Sequence, residues 1–277
     1  MIPAADLKTP ILPVEAMDRI ASARAESYRT AEPYPHIVLD DFFDPAVLDA
    51  LLDEFPDAGG VRWIKYDDPN QVKLATRHEN QLGPFTRYFI YHLNSATFLA
   101  FLEKLTGIEG LIPDPLLFGG GLHQILPGGK LAIHADFNRH PHLKLDRRLN
   151  LLVYLNKDWK EEYGGHFELW GRDMKTCERR VLPVFNRLVV FSTTDFSYHG
   201  HPDPLRCPEG RARRSLALYY YSNGRPAEEV RGAPHSTLFQ ARPGEASAAP
   251  PKVPLRKRWR KLRRAVKELF IAPDGEA

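Results

Sequence analysis

Cysteine is scarce in this chain: 277 residues hold two, Cys177 and Cys207, thirty positions apart and outside any CxxC spacing. Neither a disulfide framework nor a thiolate zinc site can be assembled from them, and a reducing cytoplasm is the compartment they suit. Long apolar runs are missing as well. Nowhere do eighteen apolar residues follow one another, so no transmembrane helix is expected. The first thirty residues scatter Asp6, Glu15, Asp18 and Glu26 among short apolar runs, which argues against a secretory signal. Net charge is small, +3 overall, but unevenly spread. Residues 252 to 277 carry nine Lys or Arg against three acids, a net +6, so residues 1 to 251 hold about −3. What remains is 43% hydrophobic and 11% aromatic, ample for a packed core in one large domain with an appendage.

Two styles of patterning divide that domain. Residues 14 to 28 have a helical period, and PYPHIVLDDFF (33 to 43) reads as an entry strand closing on an acidic turn. Asp44 before Pro45 reads as an N-cap with proline at the first helical position, opening a helix that carries Leu48, Leu51, Leu52 and Phe55. Phe89, Leu93, Ala96 and Ala100 predict one further helix from about Phe85 to Leu105, stopped at Gly107. From Leu116 onward short β-rich runs alternate with Gly, Pro and Asn: LLFGGGLHQIL, RRLNLLVYL (147 to 155), GHFELW (165 to 170), ERRVLPVF (178 to 185), RLVVFS (187 to 192) and RRSLALYYYS (213 to 222). No crossover helix separates them, so an antiparallel sandwich or barrel is expected over 111 to 223, with the helical part at 1 to 110.

The chemistry-bearing residues fall inside this β region. In LAIHADFN, His134 and Asp136 stand two apart, and residues i and i+2 of an extended strand share a face while Ala135 points away. A third donor comes from FSTTDFSYHGHP, where His199 follows a buried-type apolar run sixty-three positions beyond Asp136. Two imidazoles and one carboxylate suit ferrous iron, held on one face with positions left open. His201 competes with His199 for the third place, because HGH puts both imidazoles on one face; Pro202 suggests a turn just beyond, which assigns His201 to a supporting or surface role.

The order of these pieces is more specific than any one of them. HADF, RRLNLLVYLNKDW, GGHFELW, PVFNRLVVFSTTDFSYHG and RRSLALYYYS succeed one another over residues 110 to 223. The set resembles the iron(II) and 2-oxoglutarate-dependent dioxygenases of the prolyl 4-hydroxylase type, and PYPHIVLDDFFDPAVLDALLDEFP is similar to their lead-in. The resemblance implies an α+β fold dominated by an antiparallel β core, a double-stranded β-helix of jelly-roll or cupin-like form. It implies His134, Asp136 and His199 as iron ligands, and Arg213 as the guanidinium that takes the far carboxylate of 2-oxoglutarate through two parallel bonds. Ser215, on the face of Arg213, and Tyr154 in VYLN would add hydroxyl contacts, whereas Arg214 would face away. Fe(II), 2-oxoglutarate, O2 and ascorbate are the implied cofactors, with hydroxylation of an unactivated C–H and release of succinate and CO2 as the implied activity. Asp136 stands where halogenating relatives carry Gly or Ala, which favours hydroxylation. Two departures stand out. Arg213 lies fourteen residues beyond His199, with PLRCPEGRA as the apparent insertion. Gln124 and Ile125 occupy a region where family members often carry a co-substrate tyrosine.

Around this core, residues 1 to 240 read as the oxygenase domain, 241 to 251 (ARPGEASAAPP) as a linker and 252 to 277 as a basic tail. Leu255, Trp259, Leu262, Val266 and Leu269, spaced 4, 3, 4 and 3, give the tail an amphipathic helical stripe. Docking on the domain is one use for it; contact of 252 to 270 with an anionic membrane or another polyanion is another, which would put a cytoplasmic protein at a membrane's inner face. The mildly acidic core argues against nucleic acid as a partner. Peptidyl or free proline, another polar metabolite or a glycan are the candidate substrates, met by 61 to 85, 137 to 146 and 161 to 165. A metal-dependent hydrolase or isomerase on the same fold, and a binding module anchored by the tail, are the competing readings; a carboxylate clamp at Arg213 has no use in hydrolysis.

Overall fold

The structure is a computed structural model that describes residues 10–76, 78–230 and 232–245. The basic helix expected over 252–277 and the linker beyond 245 lie outside the described residues. Helix α1 (Val14–Arg29) leads to strand β1 (His36–Asp40) and helix α2 (Pro45–Asp53). Asp44 caps α2 as its sequence predicts, its side chain accepting from the Ala46 amide at 2.8 Å.

One local reading is corrected. The helix expected over 85 to 105 is two helices, α3 (Pro84–Leu93) and α4 (Ala96–Thr106). Ser95 between them is extended and caps α4, and its hydroxyl donates to the His92 carbonyl at 2.7 Å. The apolar period carries across the break because both helices bury their aromatic faces, Phe89 and Phe98, in one core. Residues 61 to 85, offered as a substrate-facing region, contain a hairpin of β2 (Ile64–Asp68) and β3 (Gln71–Ala75) that the sequence reading did not delimit. Its strands are too polar to announce themselves by hydrophobic alternation, and its turn is pinned by Asp68 Oδ1, which accepts from the amides of Asn70 and Gln71 at 2.9 and 3.2 Å.

The β core follows as β4 (Ile112–Pro113), β5 (Gly121–Ile125), β6 (Lys130–Ala135), β7 (Asp146–Tyr154), β8 (Phe167–Trp170), β9 (Cys177–Val181), β10 (Arg187–Ser192), β11 (Tyr198–His201), β12 (Arg213–Ser222) and β13 (Leu238–Phe239). All pairings are antiparallel, in the order β1-β10-β7-β12-β5-β3-β6-β11-β8-β9. Strand β3 joins two halves, β1-β10-β7-β12-β5 and β6-β11-β8-β9, and the chain winds from one to the other as it proceeds. This is the double-stranded β-helix expected of the resemblance.

Period-two alternation decides what each half faces. Leu149, Leu151 and Val153 of β7, Leu188 and Val190 of β10, and Leu216, Leu218 and Tyr220 of β12 share one apolar cluster with Phe89, Leu93, Phe98 and Leu102 of the helices. Each of these side chains contributes on the order of 1.5–3 kcal/mol by burial. The alternate residues, among them Leu152, Phe191, Arg213 and Ser215, line a cavity on the opposite face with Phe167 and His199 of the other half. The helices thus stiffen one sheet from outside and leave its inner face for chemistry.

Candidate metal centre and co-substrate pocket

His134 is the penultimate residue of β6 and His199 sits on β11, directly paired in register, with ring centroids 4.5 Å apart. Asp136 follows β6 by one residue. One ligand atom from each of the three lies within 4.8 Å of the others. His134 Nε2 is 3.5 Å from Asp136 Oδ1 and His199 Nε2 is 3.3 Å from Oδ2. Both imidazoles are held from behind: His134 Nδ1 lies 2.8 Å from the Ala132 carbonyl and His199 Nδ1 2.8 Å from that of Ser197. A carbonyl only accepts, so each Nδ1 carries the hydrogen and each Nε2 turns a lone pair toward Asp136, the tautomer a metal ligand needs. Burial, then the neighbouring His199, lowers the His134 pKa and keeps the ring in its ligating form. A divalent metal fits this donor set.

Asp136 has a support that sequence reading missed. Arg147, 1% exposed, places Nη2 3.0 Å from Asp136 Oδ2, and Asn150 Nδ2 donates to the same oxygen at 2.7 Å. Arg147 in turn donates from Nε and Nη2 to Asn150 Oδ1 at 2.9 and 2.7 Å, and its guanidinium lies 3.5 and 4.4 Å from the ring centres of Tyr219 and Phe137. Burial alone would raise the Asp136 carboxyl; Arg147 chiefly, with His199 and His134, overcomes it and holds the group well below the usual carboxylate range. Strict alternation from Leu152 and Asn150 would have turned Arg148 inward. A bulge intervenes: Tyr220 pairs with Leu149 and Tyr221 with Arg147, which leaves Arg148 as the extra residue. The inward role passes to Arg147, and Arg148 instead reaches Ser222 and Glu229.

Arg213 opens β12 and is 4% exposed. Its Nε donates to the Gly165 carbonyl at 2.8 Å and its Nη2 to the Tyr154 hydroxyl at 3.1 Å, which leaves the remaining guanidinium hydrogens for a ligand. Gly165 is required here: its φ is +72°, and a Cβ would come within 2.5 Å of Leu205 Cδ2 and 3.0 Å of Arg213 Cδ. Arg213 and Ser215 line one cavity with His134, Asp136 and His199. Tyr154 is fully buried and reaches that group through Arg213. Arg214 faces away, its guanidinium 5.0 Å from the Phe55 ring centre.

Lys73, His123 and His201 complete the lining. Lys73 comes from the unforeseen hairpin, and burial pulls its pKa down to about 8 against the opposing pull of Asp136. Burial, helped by Lys73, pushes His123 to about 3, and its Nε2–H donates to the Gly119 carbonyl at 3.1 Å. Gln124, its neighbour, is not on the cavity wall. His201 is not at the surface, as Pro202 had suggested: it is 3% exposed. The β6–β11 pairing slips between His199 and His201, and a Cβ on Gly200 would lie 2.8 Å from the Leu131 and Ala132 carbonyl oxygens. Only glycine admits that approach, and with it both imidazoles reach the same cavity.

The model of the 2OG-Fe(II) oxygenase superfamily matches residues 120–221, a stretch that runs from β5 into β12 and holds His134, Asp136, His199 and Arg213. Over that stretch the chain is similar to the superfamily. A prolyl 3,4-dihydroxylase of Ostreococcus tauri is 23% identical over 182 residues, 58% of this chain and 33% of the relative. The chain therefore spans about a third of the length of that relative. Among solved structures, a Pseudomonas putida prolyl-4-hydroxylase aligns with TM-score 0.55 and 18% identity over 74% of this chain and 100% of that one. HygX of Streptomyces hygroscopicus, solved with nickel, 2-oxoglutarate and hygromycin B, aligns with TM-score 0.50 and 13% identity over 78% and 96%. At these identities the two structures establish the oxygenase fold and no more. No helix among the described residues is long and apolar enough to cross a membrane.

Proposed function

We propose that this oxygenase is an Fe(II)- and 2-oxoglutarate-dependent hydroxylase, prolyl hydroxylase-like, acting on an unactivated C–H of a polar substrate. The observation that carries it is the meeting, in one cavity, of the His134, Asp136 and His199 ligand atoms with the buried guanidinium of Arg213. When bound, ferrous iron with O2 and 2-oxoglutarate supplies the oxidising equivalent, and the co-substrate leaves as succinate and CO2. The protein's own part is positional. His134, Asp136 and His199 hold the metal from one side, and Arg213, braced by Tyr154, holds the far carboxylate of the co-substrate together with Ser215. Phe167, Phe191, Leu131 and Leu152 wall the cavity and keep water from it. Arg213 disfavours a hydrolytic metal enzyme, which has no carboxylate to clamp.

The substrate is a peptidyl or free proline or another polar metabolite. The first fits the Ostreococcus and Pseudomonas relatives; hygromycin B bound to HygX supports the wider class, glycans included. Incubation with Fe(II), ascorbate, 2-oxoglutarate and a panel of prolyl peptides, proline and aminoglycosides should release succinate, and Asp136→Ala should abolish it. Equal succinate from the two proteins would refute the reading. Omitting ascorbate tests whether it sustains turnover. Residues 1 to 240 form the oxygenase domain in this proposal and 252 to 277 a basic helix that docks or meets an anionic membrane in the cytoplasm. Liposome binding by the full chain, against a chain ending at 251, tests the membrane arm.

A further inference from the structure

We infer that His201 is a further co-substrate-binding residue, its imidazole N–H reaching the carboxylate of the 2-oxo acid that lies remote from the metal, beside Arg213. The inference rests on the proposed oxygenase reading and adds to it a side chain outside the metal triad and the arginine clamp. His201 is 3% exposed, yet neither ring nitrogen has a hydrogen-bond partner within the protein. The other cavity imidazoles are each committed: His134 to the Ala132 carbonyl, His199 to that of Ser197, His123 to that of Gly119. A buried polar group without a partner is costly, and at a ligand cavity the partner it lacks is the ligand.

The acceptor count of the ligand agrees. An ionised carboxylate has about four lone-pair positions. Arg213 has spent one N–H on Gly165 and one on Tyr154, and its fork retains two parallel donors for the carboxylate. Ser215 supplies a third from the same wall. His201, lining the same cavity from β11 of the facing half, supplies the fourth. Every protonation state of imidazole keeps at least one N–H, so the assignment is independent of titration. His123 cannot replace it, since its N–H is given to Gly119 and only a lone pair is left to face an anion. Gly200 is the local device that makes the arrangement possible, because any side chain there would hold β11 off β6.

The test is calorimetric titration of the full-length protein loaded with Mn(II), using 2-oxoglutarate and, separately, 2-oxopentanoate, which has the same carbon count and no second carboxylate. Wild type should prefer 2-oxoglutarate. His201→Phe should weaken 2-oxoglutarate binding about ten- to a hundredfold and leave 2-oxopentanoate unchanged, as expected for one hydrogen bond to a charged group. His201→Gln, whose amide restores an N–H, should recover much of the loss; His201→Leu replaces the Phe variant if that fails to fold. Unchanged 2-oxoglutarate affinity would overturn the inference and assign His201 to the adjoining cavity of about 410 Å³, whose wall it shares. Equal loss for both acids would overturn it too, as a general distortion. A wild type that binds neither acid sinks the oxygenase reading itself, an outcome visible before any variant is compared.

Discussion

Replacing Arg147 by Met isolates the charge beneath the metal centre, because Met keeps an unbranched apolar stem between Phe137 and Tyr219. With Nη2 3.0 Å from Asp136 Oδ2, the pair sits where opposite charges attract by about 5.5 kcal/mol at an effective dielectric near 20. Removing one member of a buried pair costs about 3–5 kcal/mol, since the survivor stays buried and charged. Asp136 can escape by taking a proton. From an ordinary carboxylate pKa near 3.9, that escape costs about 4 kcal/mol at pH 7, inside the range for a broken buried pair. In the wild type the folded pKa is depressed, so its stabilisation is fully present above about pH 4 and lost as pH falls through the depressed value. Arg147→Met should destabilise the metal-free protein by about 3–5 kcal/mol at pH 7 and by less near pH 4, where the variant's unpaired Asp136 takes a proton at little cost. Urea denaturation of both proteins at the two pH values measures this. An equal loss at both would show that packing, not charge, is what Arg147 contributes, and no loss at pH 7 would refute the pairing argument outright.

Arg213→Lys exchanges a fork for a point charge and should raise the 2-oxoglutarate KM about tenfold or more with kcat little changed, read from succinate release; an unchanged KM would assign the carboxylate to other groups. Leu151→Ala, on the helix-facing side of β7, should cost about 2–5 kcal/mol in urea denaturation while leaving Mn(II) affinity intact. A loss of metal affinity there would contradict the separation of the two sheet faces.

Much of the site was legible because it is local. His134 and Asp136 are two apart on a strand, and the face they share follows from backbone geometry alone. Arg213 and Ser215 obey the same rule, and Arg214 turns away as alternation requires. Arg147 escaped because alternation breaks just where it matters: the bulge at Arg148 reverses which of two adjacent arginines looks inward. Lys73 escaped because its hairpin is polar and has no hydrophobic period to reveal it.

The sequence by itself determined the candidate donor set and the succession of strand segments that carries it, since these depend on residue identity and on a period of two. Only the tertiary structure decided which groups surround the donors. Arg147 and Asn150 beneath Asp136, Gly165 behind Arg213 and the partnerless imidazole of His201 all depend on strands distant in sequence meeting at a bulge or on a glycine. Close approach between backbones is a property of the folded pair and cannot be read from either strand alone.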